Sequence, residues 1–161
     1  MQDSTFDSLA QIFTDNGFSL YMVGGTSRDF LLGRKYADWD FACDAAPMEM
    51  KTFLKDADYS FAKYGSIKIF TNHQEVDITT LREEGEYKDY RHPSFIKFVK
   101  DPHLDYKRRD FTINALYIDS GYQTLDYCGG LSDLKNKIIR FIGNPTKRVE
   151  EDPLRILRAY R

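Results

Sequence analysis

Two aspartates separated by one residue begin the apolar segment "DWDFAC", and their spacing is the feature of the sequence with the clearest chemical meaning. In a β-strand, residues i and i+2 point to the same face, so the carboxylates of Asp38 and Asp40 project together. Like charges this close repel unless a cation neutralises them. Mg²⁺ commonly takes one or two carboxylates together with substrate phosphates. We therefore predict a metal site at Asp38 and Asp40; the alternative is a strand end with two solvated aspartates.

A third carboxylate, Asp77, lies in "EVDITT", another segment with strand character. Three carboxylates are the usual set in two-metal phosphoryl transfer, where the ions contact the attacking and leaving oxygens. We predict that Asp77 takes part in catalysis with Asp38 and Asp40. The alternative is a hairpin residue that is paired with a basic neighbour.

The segment "GGTSRD" follows a predicted strand and opens a predicted helix. Gly24 and Gly25 allow close approach of the backbone to a phosphate, and helix N-terminal N–H groups favour anions. Arg28 can contact a phosphate oxygen, and Asp29 either shares the site or orients Arg28 through an ion pair. The spacing is not that of a P-loop or of a dinucleotide-binding G-x-G-x-x-G motif. A tight structural turn is the alternative.

Basic residues precede another predicted helix start in "YKRRDFTINAL". Arg108 and Arg109 beside Asp110 suit the binding of a triphosphate or a ribose. Asn114 falls four residues after Asp110 and, on a helix, would line the same site. The alternative is a solvated basic helix start.

The segment "EDPLRILRAYR" places a carboxylate and two guanidinium groups on successive helical turns. Asp152, Arg155 and Arg158 offer acceptors and donors that could recognise the Watson–Crick edge of a base. The alternative is an N-cap aspartate with a surface ion pair, worth less than about 1 kcal/mol.

The elements that must position these groups alternate between helix and strand, which predicts an α/β fold with a mixed sheet and flanking helices. A loop is predicted over 82–93, because both charges abound there and apolar residues are few. Helices are predicted to end at Gly17 and to cover 26–32, 47–54, 131–137 and the segments beginning at 111 and 153. Strands are predicted at 18–23, 38–43 and 138–142, with hairpins at 66–70/75–81 and 116–119/123–127.

Composition narrows the class of protein. The chain has 161 residues, 42% of them hydrophobic, and a net charge of −2, as expected of a globular domain. Cys43 and Cys128 have no metal-binding spacing, and two free thiols fit a reducing cytoplasm. His73, His92 and His103 are scattered in predicted loops. No signal peptide and no membrane-spanning segment are predicted, and the helical pattern at the last residues predicts a fragment of a longer protein.

Taken in order, these motifs resemble class II tRNA nucleotidyltransferases, the CCA-adding enzymes, over roughly residues 18–161. The resemblance rests on "GGTSRDFLLGRKYADWDFA", "EVDITTLR", "RRDFTINALYID", "LDYCGGLSDLKNKIIRFIG" and "EDPLRILRAYR". It implies a polymerase-β-like nucleotidyltransferase head over 1–142 and the start of a helical neck, truncated here, over 143–161. One departure is "TS" after the glycine pair, where members often have a small residue and Val.

The resemblance also implies roles for the site residues. Asp38 and Asp40 would hold Mg²⁺, and the glycine pair, Arg28 and Asp29 would shape the triphosphate site. Arg108, Arg109 and Asp110 would contact sugar and phosphates, while Glu151, Asp152 and Arg155 would select the incoming base.

The implied reaction is addition of CMP and AMP from CTP and ATP to the tRNA 3′ end, with release of pyrophosphate. The segment 81–93 matches the loop of members that add the terminal A, which disfavours a CC-only enzyme. Three alternatives stay open: an A-adding tRNA nucleotidyltransferase, a bacterial poly(A) polymerase and a non-catalytic nucleotide-binding domain.

Overall fold

The computed structural model describes residues 2–87, 89–90 and 93–161. Its centre is a mixed six-stranded sheet in the order β3-β4-β2-β1-β7-β8, in which β2 and β4 are parallel and the other neighbours are antiparallel. These strands are β1 (Leu20–Met22), β2 (Trp39–Cys43), β3 (Ser66–Thr71), β4 (Gln74–Thr80), β7 (Leu116–Ile118) and β8 (Thr124–Asp126). A separate hairpin pairs β5 (Arg82–Glu84) with β6 (Ile96–Phe98).

Helices surround this sheet. They are α1 (Ser4–Asp15), α2 (Gly24–Leu31), α3 (Pro47–Met50), α4 (Pro102–Asp105), α5 (Gly130–Lys135), α6 (Pro145–Glu151) and α7 (Leu154–Ala159). Short 3₁₀ turns cover Ala62–Tyr64, Tyr106–Arg108 and Thr112–Asn114. The predicted class, a mixed sheet flanked by helices, is therefore confirmed, whereas the predicted boundary between residues 142 and 143 stays a prediction.

Helix α1 closes one face of the sheet. Its apolar residues recur at helical spacing, so Phe6, Leu9 and Phe13 share one side and are buried in the main core. The Asp3 carboxylate caps the helix by accepting a hydrogen bond from the Phe6 N–H at 2.9 Å. Gly17 ends it at a φ of +81°, where a side chain would be strained.

The opposite face of the sheet carries a smaller apolar cluster and the polar residues of interest. Val23, Ala42 and Tyr117 belong to this cluster, whereas Phe41, which alternates with Ala42 along β2, belongs to the main core. Because side chains alternate along a strand, Asp40 lies on the same face as Ala42. The sheet thus separates the α1 core from the candidate site.

Several sequence predictions need correction. The helix predicted from residue 111 is only a 3₁₀ turn at Thr112–Asn114, because strand β7 begins at Leu116; the hairpin predicted at 116–119/123–127 is confirmed as β7 and β8. The strand predicted at 138–142 contributes only an isolated pairing of Phe141 with Phe111. The helix predicted over 47–54 is regular only over Pro47–Met50.

The predicted loop over 82–93 begins as strand β5, since its partner β6 lies beyond the segment and supplies the missing hydrogen bonds. Lys88, Arg91 and His92 fall outside the described residues. The helices α4 and α6 were not predicted; each is a short element that begins at a proline. Among the described residues, no helix is long and apolar enough to cross a lipid bilayer.

Candidate active site

Three carboxylates lie near one another where the two interior strands β2 and β4 run side by side. Asp40 of β2 lies directly opposite Asp77 of the parallel strand β4, and Asp38 is exposed immediately before β2. Burial raises the pKa of Asp40, and the negative charges of Asp77 and Asp38 raise it further. We name these three residues the carboxylate edge. Their mutual repulsion is the condition that a bound cation would relieve.

Asp77 has a protein cation of its own. Its carboxylate lies 3.3 Å from the ammonium of Lys68, its cross-strand partner on β3, which also binds Glu75 at 2.6 Å. The pairing with a basic neighbour that the sequence left open is therefore present. Among the described residues, no group of three or more acidic, cysteine or histidine side chains is arranged to hold a metal ion. A cation at this edge would therefore need ligands besides the protein carboxylates.

Thr26 positions the Asp38–Asp40 pair, a role that we did not predict. Its hydroxyl accepts a hydrogen bond from the Asp40 N–H at 2.8 Å and donates one to the Asp38 carbonyl at 2.9 Å. It is buried in the first turn of α2. The only signal in the sequence was its position after the glycine pair, where family members often have a small residue and this chain has Thr26.

The first glycine of the pair is required by the backbone. Gly24 has a φ of +60°, and a Cβ there would lie 4.0 Å from a carboxylate oxygen of Asp40. Gly25 would place a Cβ 3.4 Å from the Arg28 guanidinium. Helix α2 therefore begins directly beside the carboxylate edge, as predicted for this segment.

Arg28 connects α2 to the turn that carries Asn114. Its Nε binds the Asp29 carboxylate at 3.0 Å, so the predicted ion pair is present, and its Nη1 donates to the Asn114 side-chain oxygen at 3.0 Å. The Arg28 side chain keeps 32% exposure and lines the same cavity as Asp38 and Asp40. It can therefore still meet an anion from the cavity.

The two adjacent arginines are held by a buried acid that sequence reasoning missed. Asp105 is fully buried and accepts hydrogen bonds from Arg108 Nε at 2.8 Å and Arg109 Nε at 3.1 Å. It also accepts the Arg82 backbone N–H at 2.8 Å and the Tyr117 hydroxyl. The signal available in the sequence was its spacing, three and four residues before the arginines.

The electrostatics of Asp105 are opposite to those of the carboxylate edge. Burial alone would raise the pKa of Asp105, but the charges of Arg108 and Arg109 and the hydrogen bonds from Tyr117 and Arg82 hold it well below its usual range. Arg109 is only 13% exposed and also lies over the Tyr117 ring. The arginine pair is thus a rigid part of the structure, and not a solvated helix start.

Asp110 and Asp152 meet at Arg158. The Arg158 guanidinium lies 3.1 Å from Asp152 and 3.4 Å from Asp110. Asp152 is 4% exposed and its carboxylate accepts the Leu154 N–H at 3.1 Å, but the N-cap residue of α7 is Pro153. The ion pair of the alternative interpretation is present, but its aspartate is buried and does not lie on the surface.

Arg155 is buried at 2% exposure and does not pair with Asp152. Its Nη1 donates to Glu151 at 2.9 Å and to the Arg148 carbonyl at 2.6 Å. Its Nη2 reaches the Tyr87 hydroxyl at 3.5 Å, and its guanidinium lies 5.3 Å from the centre of that ring. The bond to the Tyr87 hydroxyl is the longest and weakest of these hydrogen bonds.

Two adjoining cavities, of ≈ 420 and ≈ 380 Å³, connect these groups. The first is lined by Arg28, Asp29, Asp38 and Asp40, and the second by Arg108, Arg109, Asp152 and Arg155. Both share Gly25, Asp110, Asn114 and Arg158. Nearly every predicted site residue therefore lines the cleft that these two cavities form, whereas Asp77 and Glu151 do not line it.

Comparison with known proteins identifies the family of this chain. Residues 20–140 match the family model described as "Poly A polymerase head domain". The chain belongs to this family. Nucleotidyltransferases of the poly(A) polymerase head family generally use divalent metal ions.

Relatives that share this head domain include CCA-adding enzymes. Those from Staphylococcus aureus strain bovine RF122 / ET3-1 and Lactobacillus helveticus strain DPC 4571 are 38% and 43% identical over 100% and 94% of this chain. The matches cover 41% and 38% of those proteins, so the chain spans about two fifths of their length.

A solved structure extends the similarity to the fold. The Bacillus stearothermophilus CCA-adding enzyme in complex with CTP matches with a TM-score of 0.85 and 30% identity, over 98% of this chain and 38% of that one. The resemblance to the CCA-adding enzymes and the polymerase-β-like class of the head are thereby confirmed.

Proposed function

We propose that this chain is the catalytic part of an enzyme that adds CMP and AMP to the 3′ end of tRNA without a nucleic-acid template. CTP and ATP would be the donors, and pyrophosphate the second product. The observation that carries the proposal is the continuous cleft, in which the cavity lined by Asp38 and Asp40 and the cavity lined by Asp152 and Arg155 share four residues. The similarity to CCA-adding enzymes supports the same assignment.

We propose Mg²⁺ as the metal and Asp38 and Asp40 as its protein ligands. The donor set fits this ion, because Mg²⁺ prefers oxygen ligands and uses few carboxylates when substrate phosphates complete its shell. The pKa of Asp40 is raised by burial and by two neighbouring carboxylates, and the charges of Arg109 and Lys68 offset this only in part, so a bound cation would be favourable there. When bound, Mg²⁺ would stabilise the charge that develops on the attacking and leaving oxygens.

The protein groups at the start of α2 would hold the triphosphate. The first N–H groups of a helix lack intrahelical acceptors, so those of Gly24 and Gly25 suit phosphate oxygens. Arg28, oriented by Asp29 and Asn114, adds a charged donor. Orientation by these fixed groups would align the α-phosphate with the tRNA 3′-hydroxyl, which attacks it and displaces pyrophosphate.

The base would be selected by Asp152, Arg155 and Arg158. Arg155 holds Tyr87 by its longest hydrogen bond, so its Nη2 is the donor that a base can take over at the lowest cost. Burial makes this choice selective, because a base of the wrong pattern leaves buried donors or acceptors unpaired at about 1–3 kcal/mol each. We include Glu151 in this set because it fixes Arg155, although it does not line the cleft.

The test is nucleotide incorporation with Mg²⁺, using the chain alone and with any further residues that its reading frame encodes. The acceptors are tRNAs that end at the discriminator base, at C or at CC, each offered one nucleotide at a time. Addition of C to the first two and of A to the third supports the proposal. Asp40→Asn provides the inactive variant, and Asp44→Asn, just beyond the other end of β2, the matched control.

Other results separate the alternatives. Addition of A to the third acceptor alone identifies an A-adding enzyme, and repeated A addition to any RNA end identifies a poly(A) polymerase. If the longest form adds nothing but binds CTP and ATP, the non-catalytic alternative is correct. The cytoplasm is the proposed location, because tRNA is found there and Cys43 and Cys128 are free thiols.

A further inference from the structure

Arg148 of α6 contacts both halves of the cleft without lining it. Its side chain is only 12% exposed, and it stands outside the motifs that carried the sequence argument. We call Lys107–Asp110 the basic segment, and we call Asp152, Arg155 and Arg158 the base-recognition group.

On one side, Arg148 is bound to the main chain of the basic segment. Its Nη2 donates to the Lys107 carbonyl at 3.3 Å and also to the Arg109 carbonyl. These two carbonyls flank Arg108. The guanidinium therefore fixes the backbone from which Arg108 and Arg109 extend into the cleft.

On the other side, Arg148 is bound to the base-recognition group. Its own carbonyl accepts the Arg155 Nη1 at 2.6 Å, and its Nη1 binds Glu151 Oε2 at 3.2 Å. The same Glu151 oxygen accepts Arg155 Nη1 at 2.9 Å. Arg148 and Arg155 therefore share one carboxylate, so that a displacement of α6 would move both.

The burial of the Arg148 guanidinium near Arg155 is electrostatically unfavourable. Burial, followed by the charge of Arg155, lowers the pKa of Arg148. Its Nε is buried and has no hydrogen-bond partner among residues 2–87, 89–90 and 93–161. Well-packed apolar side chains commonly replace buried charges without loss of stability. Stability alone is therefore a weak reason for an arginine here.

We propose that Arg148 is a positioning residue that sets the distance and orientation between the basic segment and the base-recognition group. The inference rests on the proposed function, since it assigns the base to one group and the sugar and phosphates to the other. A nucleotide touches both groups at once, so its affinity depends on their spacing. The affinity of a ligand that has only phosphates does not depend on this spacing.

The experiment measures equilibrium binding of CTP, ATP, UTP, GTP and inorganic tripolyphosphate to this chain in Mg²⁺. Arg148→Met removes the donors, and Arg148→Lys keeps the charge but lacks the planar fork that binds two carbonyls and a carboxylate. Lys147→Met is the matched control, because it removes one positive charge from the exposed residue next to Arg148.

Both Arg148 variants are expected to weaken CTP and ATP binding about 10-fold, as the loss of one to two net hydrogen bonds implies. The preference for CTP over UTP and for ATP over GTP should fall several-fold. Tripolyphosphate affinity should stay within about 2-fold of that of Lys147→Met, since Asp105 still holds Arg108 and Arg109. A purely structural role would not separate these ligands.

Equal weakening of all five ligands, or unchanged preference for CTP and ATP, overturns the inference. If Arg148→Met does not fold, Arg148→Lys answers the question alone; if neither folds, the role is structural and the inference is wrong. Failure of the proposed function is a different result, in which the unaltered chain shows no preference for CTP and ATP over UTP and GTP.

Discussion

Asp40 and Asp105 are both shielded carboxylates on the same side of the molecule, yet their surroundings are opposite. Asp40 faces two further carboxylates, and its pKa is raised by burial and by their charges. Asp105 is surrounded by donors, and the charges of Arg108 and Arg109 overcome burial and lower its pKa. Asp105 is neutralised by Arg108 and Arg109, whereas the charges of Arg109 and Lys68 only partly offset the carboxylates around Asp40.

From this contrast we predict that Asp105 stabilises the fold and that Asp40 binds a ligand. A buried charge that is fully paired is needed for stability once its partners are present. A carboxylate whose pKa is raised by like charges destabilises the empty protein at neutral pH. Function and stability should therefore respond in opposite ways when each acid is replaced by its neutral amide.

The largest expected effect is that of Asp40→Asn on nucleotide incorporation. Loss of a metal ligand should lower the rate by at least about 10³-fold, which corresponds to about 4 kcal/mol. In EDTA, the same variant should be as stable as the unaltered chain or more stable, because a repelled charge is removed. Incorporation assays measure the rate and thermal unfolding in EDTA measures the stability, with Asp44→Asn as control. A variant that is both active and destabilised would reverse the assignment.

Asp105→Asn should have the largest effect on folding. Removal of one partner of a buried ion pair typically costs about 3–5 kcal/mol, because the remaining charges are left uncompensated. Urea unfolding of this variant measures the loss, and Asp15→Asn, at an exposed position of α1, is the matched control. A loss below about 1 kcal/mol would show that Arg108 and Arg109 do not depend on Asp105.

Thr26→Val should have an intermediate effect, because it leaves the Asp40 N–H and the Asp38 carbonyl without their partner. The expected destabilisation is about 1–3 kcal/mol. Mg²⁺ affinity, measured by calorimetry, should fall with it, since the two aspartates lose their fixed spacing. Thr26→Ser retains the hydroxyl and should keep both properties; equal loss in both variants would point to packing instead.

The smallest expected effect is the pH dependence of the free energy of unfolding without metal. The folded pKa of Asp40 is raised, so its contribution is present at low pH and is lost as the pH rises through that pKa. The folded pKa of Asp105 is lowered, so its contribution is present above about pH 4 and is lost as the pH falls.

Denaturant titrations of the two amide variants between about pH 3 and 7 test these signs. The stability advantage of Asp40→Asn over the unaltered chain should grow as the pH rises, whereas the deficit of Asp105→Asn should shrink as the pH falls. Parallel curves for the two variants would contradict the contrast between the two acids.

Sequence periodicity predicted the elements that carry the carboxylate edge better than those of the second half. Strand β2 and helix α2 were predicted nearly at their observed bounds, because alternation and the glycine pair are local signals. The helix predicted from residue 111 was wrong, because strand β7 begins at Leu116 and leaves room for only a 3₁₀ turn, whereas the hairpin of β7 and β8 was predicted. The loop predicted at 82–93 failed at its start, since β5 depends on a partner strand that lies downstream.

The chemical groups of the site and much of their local geometry can be read from the amino-acid sequence. The i, i+2 spacing of Asp38 and Asp40 can be read from the sequence, although Asp38 lies just before β2, and the positive φ of Gly24 is one that glycine permits. Which charges lie next to one another depends on how the elements pack. The opposition of Asp40 and Asp77 comes from the register of two parallel strands, and the pairing of Arg158 with Asp152 and Asp110 from the docking of α7. Electrostatic partners are chosen by distance in space, and periodicity along the chain carries no information about that distance.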